Sequence, residues 1–142
     1  MTKDKLVTLE SPDLKELFEK ASTVRENSYS PYSNYKVGAA IRTKDGRVYT
    51  GCNVENSSYG ATVCAERVAI QKAVSEHGHI EISEVMVVTH ASPPWPPCGM
   101  CRQVIAEFGE NPKIYTANPQ GDLLAFSLHD IFPQAFTPDH LK

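Results

Sequence analysis

The stretch A-T-V-C-A-E-R-V-A-I-Q-K, Ala61 to Lys72, decides how this chain is read. Val63, Arg67, Ile70 and Val74 recur at the spacing of one helix face, and Ala65, Ala69 and Ala73 permit close packing, which predicts a helix over about 62–76. His77-Gly78 ends it. Upstream, Y-K-V-G-A-A-I-R-T and V-Y-T-G-C-N-V flank the turn K-D-G-R and read as a β-hairpin. Downstream, E-V-M-V-V-T is nearly continuous in apolar residues, the pattern of a strand covered on both faces. The loop A-S-P-P-W-P-P, stiffened by four prolines, leads into a second helix over about 98–108. K-I-Y-T-A, the turn N-P-Q-G-D and L-L-A-F-S supply two more strands, and Ser127 can cap a short last helix, L-H-D-I-F. Near the other end, Ser11-Pro12 opens a helix carrying Leu14, Leu17, Phe18, Ala21 and Val24, which S-P-Y-S-N breaks. Helices alternate with strands, and no repeat, low-complexity tract or linker interrupts them. Residues 1–142 therefore read as one α/β domain, a three-layer α/β/α sandwich around one mixed five-stranded sheet.

With 41% hydrophobic and 22% charged residues, the composition is that of a globular protein. The formal net charge of −3 argues against a nucleic-acid partner, which calls for a basic face. No apolar run approaches the roughly 20 residues of a membrane span, and M-T-K-D-K-L-V-T-L-E has no signal-peptide core. A cytoplasmic location is expected, where Cys52, Cys64, Cys98 and Cys101 are reduced thiols or metal ligands.

A plain helix does not need Cys64 at its start, Glu66 two residues on and Arg67 after that. A second stretch, P-P-C-G-M-C-R at 96–102, offers Cys98 and Cys101 in a C-x-x-C. Alone, that pair is ambiguous, and Trp95 beside it suits a thioredoxin-like redox motif. A redox pair leaves Cys64 and Glu66 unexplained, whereas a zinc site uses all of them. Three thiolates leave the fourth tetrahedral position open, the layout of a catalytic zinc. A closed structural knot would want a fourth ligand; Cys52 is available but reads better as a small buried filler. Three thiolates on one zinc leave about one excess negative charge, which opposes ionising a water there. Helix N-termini and a guanidinium offset it. Arg67 takes that role, with Arg102, which also follows a cysteine, as a second candidate. Glu66 can reach the open position and move a proton. The histidines have no ligand spacing to the cysteines, with His77 and His79 reading as solvated loop residues, Trp95 as loop packing, and Met86 and Met100 as core.

Taken together, S-P-Y-S-N-Y-K-V-G-A-A, G-C-N-V-E-N-S-S-Y-G, V-C-A-E-R and P-C-G-M-C-R-Q-V closely resemble the small homotetrameric zinc-dependent cytidine deaminases, over most of the chain as far as P-Q-A-F-T-P. The resemblance implies one zinc per chain on Cys64, Cys98 and Cys101, with Glu66 as proton shuttle. It implies hydrolytic deamination of cytidine and deoxycytidine in pyrimidine salvage. Asn53 and Glu55 match the family's N-x-E at the sugar; unaided, the same residues read equally well as polar hairpin ends. The Ala65 backbone is placed at the pyrimidine carbonyl. Tyr59 matches an aromatic donated by a neighbouring subunit, and Phe136 one that closes over the base. Tyr35 stands where the family commonly has a stacking phenylalanine, so its hydroxyl needs a partner. A blasticidin-type nucleoside-analogue deaminase shares these motifs. A nucleic-acid deaminase and a non-catalytic zinc or redox module are the remaining alternatives.

Overall fold

Proline in the first turn and the apolar stripe behind it do form a helix, α1, at Pro12–Arg25, with Ser11 as N-cap. The computed structural model describes residues 2–5 and 11–142; Met1 and residues 6–10, part of the N-terminal stretch read above, lie outside them. The remaining elements are β1 (Thr2–Lys5), β2 (Gly38–Thr43), β3 (Val48–Cys52), α2 (Ala65–His77), β4 (Ile82–Val88), α3 (Gly99–Phe108), β5 (Lys113–Ala117), β6 (Asp122–Ser127) and α4 (Leu128–Ile131). The sheet runs β1-β6-β5-β4-β2-β3. Among the described strands only the β4–β5 pair is parallel, so the sheet is mixed. The five strands read from the sequence are all present. β1 adds a sixth at the β6 edge, with Thr2 opposite Ala125. T-K-D-K lacks apolar alternation, so this strand left no hydrophobic signal.

Strand alternation separates two cores. Ile41, Val85, Val87, Ile114, Leu124 and Phe126 face α2 and α3, packing with Ala69, Ile70 and Ile105. Ala40, Met86, Val88, Ala117 and Leu123 face the other way, against Leu14, Leu17 and Ala21 of α1. This is the expected three-layer sandwich. Two glycines let the helices sit close: a Cβ at Gly38 would overlap the Ala21 carbonyl of α1, and one at Gly51 would overlap the backbone of Ala65 and Ala69 in α2. Gly51 therefore brings the start of α2, and Cys64 with it, down onto β3.

Two element starts lie three residues later than the sequence reading, for polar reasons. β2 begins at Gly38, not Tyr35, because the Asn53 side chain takes the hydrogen bonds of this segment: its Oδ1 accepts from Val37 N at 2.9 Å and its Nδ2 donates to Tyr35 O at 2.8 Å. α2 begins at Ala65, not Thr62, because Val63 pairs with Val54 through two 3.0 Å backbone bonds. That bridge holds the chain extended into Cys64, which caps α2 at φ −71°, ψ 155°. Met86 is buried as expected, but Met100 is 64% exposed, because the first turn of α3 turns that position away from the sheet.

Candidate active site

Cys64 and Cys98 occupy equivalent positions, each the N-cap of its helix. A residue there has extended backbone and a side chain directed along the helix axis, ahead of unpaired N–H groups and the positive dipole end. Cys101 is one turn into α3 and fully buried. Because α2 and α3 lie on the same face of the sheet, the three sulfurs converge to within 4.8 Å of one another. Cys64 and Cys98 Sγ are 3.8 Å apart. Zinc–sulfur bonds of about 2.3 Å in a tetrahedron place sulfurs about 3.8 Å apart, so the donor set fits one zinc per chain. No fourth His, Cys, Asp or Glu joins the group among the described residues, which leaves a coordination position open. Cys52 stays outside the group, half-buried at the end of β3.

The surroundings favour a ligand's protonation state at Cys64. The hydrogen bond from the Cys101 thiol and the Arg67 guanidinium hold the Cys64 thiol down at about 5. Sharing that bond, together with burial, pushes the Cys101 thiol up. Arg67 donates from its Nη2 to Cys64 Sγ at 3.5 Å. Arg102 does something else. Its Nε donates to Pro97 O and its Nη1 to Ile131 O, both at 2.7 Å, tying the approach to α3 onto the end of α4. Arg67 stands three residues after Cys64, close to one helix turn, and so reaches sulfur; Arg102 stands directly after Cys101 and is sent to carbonyls.

Glu66 is 4% exposed. Burial pushes its carboxyl up to about 7, with the charge of Cys64 adding to the effect. Such a group exchanges a proton readily near neutrality. It opens into a cavity of about 260 Å³ bounded by Cys64, Ala65, Cys98, Asn53, Glu55 and Trp95. Val37, Thr62, Val87, Thr89 and Pro96 complete the lining. Thr62, Thr89 and Trp95 were missed as site residues. Thr62 and Thr89 sit in unremarkable local patterns, Trp95 reads from the sequence as loop packing, and only the tertiary fold brings the three together.

Asn53 also accepts a hydrogen bond from Ser28 Oγ, so its Oδ1 is saturated while one Nδ2 hydrogen remains by count. Glu55 accepts from Tyr32 N at 3.0 Å, Ser33 N at 3.1 Å and Ser33 Oγ. The Ser33 hydroxyl is the main reason its carboxyl lies below the usual range, so it stays ionised at neutral pH. Both residues therefore fold the 28–37 loop around the cavity mouth as well as facing into it.

The three aromatics expected at the site stand off the cavity of their own chain. Tyr59 is 76% exposed and meets Tyr32 edge-on at 5.8 Å. Phe136 is 56% exposed and stacks on His140. Tyr35 stacks on His90 at 4.1 Å and on Trp95 at 4.3 Å.

Comparison with known proteins agrees with this geometry. A family profile described as the cytidine and deoxycytidylate deaminase zinc-binding region matches residues 11–117. A cytidine deaminase of Halalkalibacterium halodurans is 45% identical over 131 residues, covering 92% of this chain and 98% of the relative. One from Sporosarcina psychrophila is 44% identical over 132 residues, covering 92% and 96%. The crystal structure of the cytidine deaminase from Burkholderia pseudomallei superposes with a TM-score of 0.81 at 44% identity, covering 86% of this chain and 98% of that one.

Proposed function

This chain belongs to the family of cytidine and deoxycytidylate deaminases with a zinc-binding region, and from that premise we propose that it deaminates free cytidine and 2′-deoxycytidine by hydrolysis. Zinc held by Cys64, Cys98 and Cys101 supplies Lewis acidity that lowers the pKa of a water towards 7. The rest falls to side chains of this chain. Glu66, buried beside the sulfurs, takes a proton from the attacking water and gives it to N3 of the pyrimidine. The water oxygen bonds to C4. Glu66 carries the second proton to the amino group, the C4–N bond breaks, and ammonia and uridine leave. The first N–H groups of α2, starting at Ala65, have no acceptor within the helix and face the cavity, where they suit the pyrimidine carbonyl. Asn53, through its remaining N–H, and Glu55, through its carboxylate, suit the sugar hydroxyls.

The observation that carries a nucleoside reading over a nucleotide one is the charge of the cavity. Its described lining contains neither Lys nor Arg, and its mouth holds the ionised Glu55. A 5′-phosphate there would meet a carboxylate and no cation. Tyr59 and Phe136, exposed and away from their own cavity, suit contributions to a neighbour's site in a homotetramer. The reduced thiols fit a cytoplasmic enzyme of pyrimidine salvage, and the net charge of −3 does not favour nucleic acid. No helix among the described residues is long and apolar enough to cross a membrane.

Ultraviolet monitoring of cytidine and of deoxycytidine 5′-monophosphate, each with and without a chelator, tests this reading. The expected result is chelator-sensitive ammonia release from cytidine, with kcat/KM at least about 100-fold lower for the monophosphate. Preference for the monophosphate, or no release from either, would overturn it.

A further inference from the structure

Trp95 stands in a loop between Pro94 and Pro96, whose rings fix their own φ angles. Its indole is 52% exposed, yet it lines the same cavity as Cys64, Ala65, Glu66 and Asn53. It lies nearly parallel to Tyr35, at 10° between planes and 4.3 Å between centroids. Tyr35 stacks in turn on His90, whose Nδ1 is 3.4 Å from Arg25 Nη2, and Arg25 Nε donates to Lys36 O at 3.0 Å. Two rings centred about 4 Å from a third cannot share one of its faces without overlapping, because aromatic rings side by side need more room than that. His90 and Trp95 therefore occupy opposite faces of Tyr35. The tyrosine has no face left for a substrate base, and it does not line the cavity.

We propose that Trp95, not Tyr35, presents the aromatic plane against which the pyrimidine stacks, with Tyr35 and His90 holding the indole in place from behind. This rests on the cavity being the nucleoside site proposed above. The tryptophan sets affinity for a flat ring, and Tyr35 is a positioning residue. An indole is broad and polarizable, and stacking on it requires no hydrogen-bond partner from the base.

Trp95 is the single tryptophan of the chain, so its emission reads the contact directly. The holoenzyme is titrated with uridine while indole fluorescence is followed. Cytidine kinetics are measured in parallel for wild type, Trp95→Val and Trp95→Phe, with zinc content and circular dichroism checked for each. The expected result is saturable quenching in wild type, a KM about tenfold higher for Trp95→Val with kcat within about twofold, and a KM near that of wild type for Trp95→Phe. Unchanged emission at saturating uridine, or a folded, zinc-loaded Trp95→Val with wild-type KM, would overturn the proposal. Quenching by uridine in a protein that releases no ammonia from cytidine would leave the place of the indole intact and defeat the proposed activity alone.

Discussion

Arg67 lies three residues after Cys64 and Arg102 directly after Cys101, and their fates show what a single residue contributes here. Arg67 reaches Cys64 Sγ, while its buried Nε has no hydrogen-bond partner in the described structure. Withdrawing the guanidinium removes charge from the sulfur and leaves the thiolates to repel one another. Arg67→Ala is expected to weaken zinc binding by roughly 10- to 100-fold, read by competition with a chromophoric chelator. Arg102→Ala should instead lower thermal stability, since it frees the carbonyls of Pro97 and Ile131. Asn53 combines two tasks. Asn53→Ala would strip the side-chain partner from Val37 N and Tyr35 O at once, while Ser28 Oγ keeps Ser30 Oγ and the residue-53 carbonyl. A loss of about 1–3 kcal/mol for each group left buried and unpaired follows, so denaturant unfolding should show a large loss of stability together with a raised KM.

At the level of elements, the site is made by two helix starts being brought to one place. Gly51 does this for α2, because any side chain there would collide with the backbone of Ala65 and Ala69. Gly51→Ala should cost about 1–3 kcal/mol in denaturant unfolding and reduce the zinc retained per chain, because relief of the overlap moves Cys64 away from Cys98. Most of this level was legible in the sequence. Helical spacing in V-C-A-E-R-V-A-I and the apolar run E-V-M-V-V-T left little choice of element. The illegible parts were those held by polar bonds. The starts of β2 and α2 are set by the Asn53 side chain and the Val54–Val63 bridge, neither of which has a hydrophobic period. β1 was missed for the same reason: its register is a matter of backbone pairing along β6.

For the whole molecule, the proposed catalytic groups stand out in the sequence because thiolates at helix starts and a carboxylate beside them form a short-range pattern. The cavity wall does not, since Trp95, Thr89 and Thr62 meet only through tertiary packing. The same difference in range explains the aromatics. Tyr59 and Phe136 lie exposed on the chain that carries them, so their proposed roles depend on neighbours. Light scattering coupled to gel filtration is expected to give four chains per particle, and a fully active monomer would remove both residues from the site as described. The central claim, however, concerns one carboxylate beside one metal. Its most direct test is the rate of cytidine deamination by a Glu66→Gln protein shown to carry one zinc per chain. The account predicts a fall of at least about 100-fold with zinc retained, the contribution of a positioned proton shuttle. A zinc-loaded Glu66→Gln protein working at the wild-type rate would contradict it.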